Sequence, residues 1–170
     1  MKGIRSLMIN VSKFDDQAAA AKEEEAQTYR AMAYYTRCLA LEKGLAMKKD
    51  AADDAFLETI FASLSKDKAG LPASKECFRL VGAYTMDMFD SLMAQEKSGE
   101  SSKATARGFL ECANHFKVLD SFVEEVKDAG IGEEIGSNIK TCLVLTGDIV
   151  KRPGVPDSSP VAAAAAVAAS

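Results

Sequence analysis

At 170 residues, 48% of them hydrophobic, the chain can bury one sizeable core or two smaller fused ones. Its 21 Lys and Arg against 25 Asp and Glu leave a net charge of -4, which gives no electrostatic footprint for nucleic acid or for anionic lipid. Cys38, Cys77, Cys112 and Cys142 are far apart with no C-x-x-C pair, the pattern of free buried thiols in a reducing compartment. No stretch has the apolar length of a signal peptide or the roughly 20 residues of a membrane span, so a cytoplasmic protein is expected.

From residue 12 to 150 the sequence reads as helix: Ala, Leu, Lys and Glu dominate, Trp is absent, and apolar residues recur three and four apart. Ser12 with Asp15 resembles a capping pair, which predicts a first helix starting there and running through "FDDQAAAAKEEE", with Glu23 to Glu25 as a solvated end. The second helix is predicted over residues 27–49. It carries one apolar stripe at Ala31, Tyr34, Cys38, Leu41 and Leu45 and another at Met32, Leu39, Ala46 and Met47. Two stripes require two neighbours. Tyr34 and Tyr35 point about 100° apart, so each packs into a different flank. Gly44, inside this helix, is either a tolerated loss of about 1 kcal/mol or a place where a neighbouring or ligand helix comes close.

Asp50 is expected to cap a third helix with Phe56, Leu57, Ile60, Phe61 and Leu64 on a broad apolar face, ended by Gly70 and Pro72. The fourth is predicted over residues 74–97, with Gly99 left-handed after it; the fifth over 102–129, stopped by "DAGIG"; the sixth over 133–150, closed by Pro153. Residues 1–11 are expected to be an extension, and the Pro-, Ser- and Ala-rich residues 153–170 a linker. Short turns make consecutive helices antiparallel, which allows two three-helix units in tandem or one irregular six-helix bundle.

Catalytic signals are weak. Cys112 and His115 share a helix face and could form a thiol–imidazole pair, but Cys112 lies in an apolar stripe, and a buried structural cysteine beside a surface histidine is the stronger interpretation. One histidine and four scattered cysteines make no metal set, and phosphate loops and paired carboxylates are lacking. No enzyme activity, cofactor or metal is expected.

The stretch "AYYTRCLALEKGL", residues 33–45, resembles the N-terminal domain of the Vta-one or LYST-interacting-protein-five family. "DDAFLETIFASLSKDK" is similar to that family's third helix, the segment from "FRLVGAYTMDMF" to "HFKVLDSF" to its following helical pair, and "IVKRPGVP" to its exit into a linker. The resemblance implies an all-α fold of two tandem three-helix MIT (microtubule-interacting and trafficking) bundles packed together, over residues 12–70 and 71–152. It implies an adaptor of endosomal multivesicular-body sorting that binds C-terminal tail helices of ESCRT-III subunits and regulates the AAA ATPase that disassembles them. ATPase contact and dimerisation belong to a separate C-terminal domain, so this chain is expected to be monomeric, peripheral at the endosome and not inserted in the membrane. Plant callose synthases carry a similar N-terminal domain, which leaves a regulatory module of a membrane enzyme as the alternative. Helical spacing nominates Leu39, Met47, Phe56, Ile60 and Leu64 as the floor of a tail-binding groove, with Lys43 and Glu58 at its rim.

Overall fold

The computed structural model describes residues 2–47, 51–123 and 129–157. Over these the chain is all-α: α1 (Lys2–Ala20), α2 (Glu23–Leu45), α3 (Ala51–Asp67) followed by a 3-10 turn (Lys68–Gly70), α4 (Ser74–Lys97), α5 (Lys103–Asp120) and α6 (Ala129–Lys151). The fold is two helical units in tandem; among the described residues the first runs to Val81 and the second begins at Gly82, so the division falls within α4. The break at Gly70 and Pro72 separates the 3-10 turn from α4, and the first turns of α4 stay with the first unit.

The expected start of the first helix at Ser12 is corrected. α1 begins at Lys2, Ser12 sits exposed in mid-helix, and Ile4, Leu7, Val11 and Phe14, spaced three, four and three apart, are buried. The end moves too: α1 stops at Ala20, and Glu23, Glu24 and Glu25 form the first turn of α2, where carboxylates meet the positive end of the helix. Glu23 also accepts hydrogen bonds from Arg30, at 2.8 Å from Nη1, which lowers its pKa. Position 50, the expected cap of α3, lies outside the described residues.

α1 and α2 pack along their length, with Phe14 and Tyr29 stacked at 6.4 Å between ring centroids. Arg37 of α2 is mostly buried and joins three helices, pairing with Asp15 of α1 and, at 3.2 Å, with Asp67 of α3. Burial raises the pKa of Asp15 despite Arg37, and the second carboxylate at Asp67 pushes the same way.

In the second unit α5 packs on α6 and the later part of α4. Gly108 makes room for Leu92: a Cβ there would lie 2.7 Å from Leu92 Cδ2. Phe89 and Phe116 meet edge to face at 5.6 Å, and Thr146 donates to the Ala106 carbonyl at 3.3 Å. The helix ends differ from expectation at "DAGIG", since Ala129 to Gly132 open α6 rather than closing α5, which ends at Asp120. Residues 124–128 of the predicted fifth helix lie outside the described residues. Gly99 and Gly154 are left-handed, at φ 76° and 74°.

A polar lock gathers the helix ends. Ser102 and Thr105 form a reciprocal capping box at the start of α5, and Thr105 Oγ1 donates to Gln95 on α4 at 2.9 Å. Glu96 of α4 accepts both Arg152 nitrogens and the Ser101 hydroxyl. The exit segment is tied down as far as it is described: the Lys103 backbone N–H donates to the Pro156 carbonyl at 2.8 Å, and the Lys103 ammonium pairs with Asp157 at 2.8 Å. Residues 158–170 of the expected linker lie outside the described residues.

Two outcomes are expected. Leu7→Ala should lower the stability of the protein in urea by roughly 2–5 kcal/mol, the cost of truncating a buried leucine, whereas an extension would give at most about 0.5 kcal/mol. The Arg152 hydrogen bonds hold Glu96 below its ordinary pKa of 4.5, so this pair stabilises the fold above that value and its contribution disappears as pH falls through the lower folded value. Glu96→Gln should therefore lower stability by a constant amount at neutral and alkaline pH, leaving the slope there unchanged, and should flatten the acid limb of a stability–pH curve.

Candidate functional site

α2 has three working faces. The first, near Ala33, Ala40 and Gly44, carries small residues on which the neighbouring helices of the unit close in. The second holds Met32, Tyr35, Thr36 and Leu39, all buried, and is closed where the Tyr35 hydroxyl meets Cys77 at the start of α4. The third is the stripe of Tyr34, Cys38, Leu41 and Leu45, which is only partly covered. Leu45 is 59% exposed.

Between that third face and α3 lies a groove of about 450 Å³ lined by Leu41, Leu45, Leu57 and Phe61, with Asp54 and Glu58 along the α3 edge. Phe61 is 63% exposed, an unusual state for a phenylalanine on a helix whose Leu57, Ile60 and Leu64 are buried. The groove is therefore an apolar trough with carboxylates on one rim.

The nominated floor is corrected in most of its members. Leu39, Ile60 and Leu64 belong to the core and, unlike the similarly buried Leu57, do not line the groove. Phe56 lies on the other flank of α3, in a small recess of about 240 Å³ with Arg5, Ala52 and Asp53. Met47 is exposed beyond the end of α2 and lies outside the groove lining, and Lys43, two residues from both Leu41 and Leu45, points away from the groove. Glu58 does line it. Sequence reasoning assigned the two stripes of α2 the wrong way round: Leu39 is inside, and the stripe ending in Leu41 and Leu45 faces out.

A larger recess of about 580 Å³ lies farther toward the start of α2, lined by Arg30, Arg37, Lys66, Asp15 and Asp67 among others. Its charges are largely spent on one another and on Glu23, and its polar side chains are interleaved with Ala18, Ala19 and Leu71. It is the weaker candidate for a peptide.

Catalysis by Cys112 and His115 is not supported. His115 is buried, not on the surface, and its ring packs on Tyr84 at 5.8 Å. Cys112 has no exposure; its hydrogen bond to Cys142 and its burial both drive the pKa up, and its thiol also points at the Thr85 carbonyl at 3.8 Å. It is a core thiol. Among the described residues no three His, Cys, Asp or Glu side chains gather as a metal set, and no helix is long and apolar enough to cross a membrane.

This arrangement of tandem helical units agrees with the sequence comparison, in which a family described as Vta1 like matches residues 16–152. The chain belongs to that family. No curated protein and no solved structure matches it significantly. Membership of the Vta1 like family makes the chain a regulatory adaptor connected with the ESCRT machinery and its AAA ATPase.

The two assignments of α2 predict opposite phenotypes. Leu39→Asp and Ile60→Asp should each place a charge in the core and unfold the first unit, seen as lost helical circular dichroism. Phe61→Asp should keep the fold with a stability change within about 0.5 kcal/mol, as for a surface substitution. Equal tolerance of all three would return Leu39 and Ile60 to the surface.

Proposed function

We propose that the chain is an adaptor of endosomal multivesicular-body sorting that receives C-terminal tail helices of ESCRT-III subunits in the α2–α3 groove and so helps bring the AAA ATPase to its polymers. One observation carries this: Leu41, Leu45, Leu57 and Phe61 form an open apolar trough between two helices, with Asp54 and Glu58 on its edge. A helix lying in such a trough is held by apolar residues at three- and four-residue spacing. The acidic edge calls for Lys or Arg on the matching side of the visitor, which fixes its direction and register. On this view the chain works in the cytoplasm, peripherally at endosomes, and contact with the ATPase belongs to a further domain of the kind the family carries.

Micromolar binding, near -8 kcal/mol, is the affinity expected of a recruiter that must release its cargo. Fluorescence anisotropy with labelled ESCRT-III tail peptides tests it. At least one basic amphipathic tail should saturate with a Kd of order 1–100 μM, weaken at least about tenfold with Phe61→Asp, and weaken with Glu58→Lys and with added salt. Should no tail saturate, or should Phe61→Asp bind as well as the parent, the groove is not the tail site.

A further inference from the structure

Gly44 is buried where side chains of α1 and α3 meet the backbone of α2. A Cβ built on it would collide with Leu57 Cδ2 on α3, stand 3.2 Å from Leu57 Cδ1, and stand 3.2 Å from Ile4 Cδ1 on α1. Leu57 is also a lining residue of the groove. The same side chain thus rests on the bare backbone of α2 with one side and forms the groove floor with the other. Ile4, itself 1% exposed, also stands close to the position an added methyl group would take, so packing there is tight on the α1 side as well.

We propose that Gly44 is a positioning residue for peptide binding: by lacking a side chain it lets Leu57 sink against α2 and sets the depth of the α2–α3 groove. Any side chain at position 44 lifts Leu57 into the trough or pushes α3 outward, and both change the space left for an apolar anchor. Gly44 touches no visitor and acts only through Leu57. This inference rests on the groove being the tail site, but its physical core, the seating of Leu57 on Gly44, is independent of any partner.

The experiment has two arms. In the first, the tail peptide that binds the parent chain is titrated against Gly44→Ala, Leu57→Val and the double variant, at a temperature where circular dichroism shows all of them folded. Gly44→Ala should weaken binding by about tenfold, and the double variant should return to within about twofold of Leu57→Val alone, because valine lacks the Cδ atoms that meet the new methyl group. A purely structural role for Gly44 would lower the melting temperature and leave Kd unchanged in the folded protein. If Gly44→Ala alone does not fold, Leu57→Val in the same chain should restore folding, and failure to restore it overturns the proposal.

In the second arm, with no peptide present, the methyl resonances of Leu57, Leu41 and Leu45 are compared between the parent and Gly44→Ala. Displaced Leu57 methyls with contacts redistributed toward Leu41 and Leu45 are expected; unmoved Leu57 methyls overturn the proposal. If the parent binds no tail while Leu57 moves as described, the adaptor assignment fails and the positioning of Leu57 stands. If the parent binds and Gly44→Ala binds equally, the positioning fails and the adaptor assignment stands.

Discussion

Helix α2 has to satisfy neighbours on two flanks with one sequence of side chains, and the arrangement of the first unit depends on how it does so. Small residues, Ala33, Ala40 and Gly44, sit on the face where helices come closest, because only a short side chain lets two backbones approach. Larger ones, Met32, Tyr35 and Leu39, fill the flank that reaches the start of α4. Once both flanks are occupied, the remaining stripe is only partly covered, and Leu45 at its end is 59% exposed. An open groove is left over when the other faces of α2 are closed.

Polar interactions in this protein fix geometry more than they add stability. Arg37 spans Asp15 and Asp67 and so ties α1 and α3 to α2 at one level, yet burial of Asp15 offsets much of the attraction, as expected for a partly desolvated pair. Glu96 plays the corresponding part in the second unit, gathering Arg152 and Ser101 where α4 and α6 end and α5 begins. The exit segment through Asp157 is held to the first turn of α5 by a main-chain hydrogen bond and an ion pair, so the chain departs from the second unit at a defined place.

The helices themselves were legible in the spacing of apolar residues, as were the left-handed Gly99 and the need of α2 for two neighbours. The start of α1 was not, because Ser12 with Asp15 has the same chemistry in mid-helix as at a cap. The stronger signal was the run Ile4, Leu7, Val11 and Phe14, a helical stripe that an extension would have no reason to carry. The boundary between α1 and α2 falls in an alanine run with no Gly or Pro, so only the charge of Glu23 to Glu25 marked it. For the groove, periodicity gives the angles between residues on a helix but not which angle meets a neighbour. Leu39 and Leu41 are two residues apart, on nearly opposite faces, and sequence alone had no means of ranking them. Gly44 was visible as an anomaly, and its cause became clear only with Leu57 and Ile4 beside it.

The shared use of Leu57 limits what the groove can be. A side chain that belongs both to the core and to the floor cannot be withdrawn to deepen the trough without loosening the contact with α2, so the apolar area offered to a visitor is bounded by the packing of the unit itself. Affinity in such a site cannot be raised by a deeper floor, and discrimination falls to the residues around it. If a helix docks there, Asp54 and Glu58 on one edge would disfavour acidic residues on that side and favour basic ones, mainly through encounter rate and register. On the proposed function, a shallow apolar floor with a one-sided charged rim would combine selectivity with ready release.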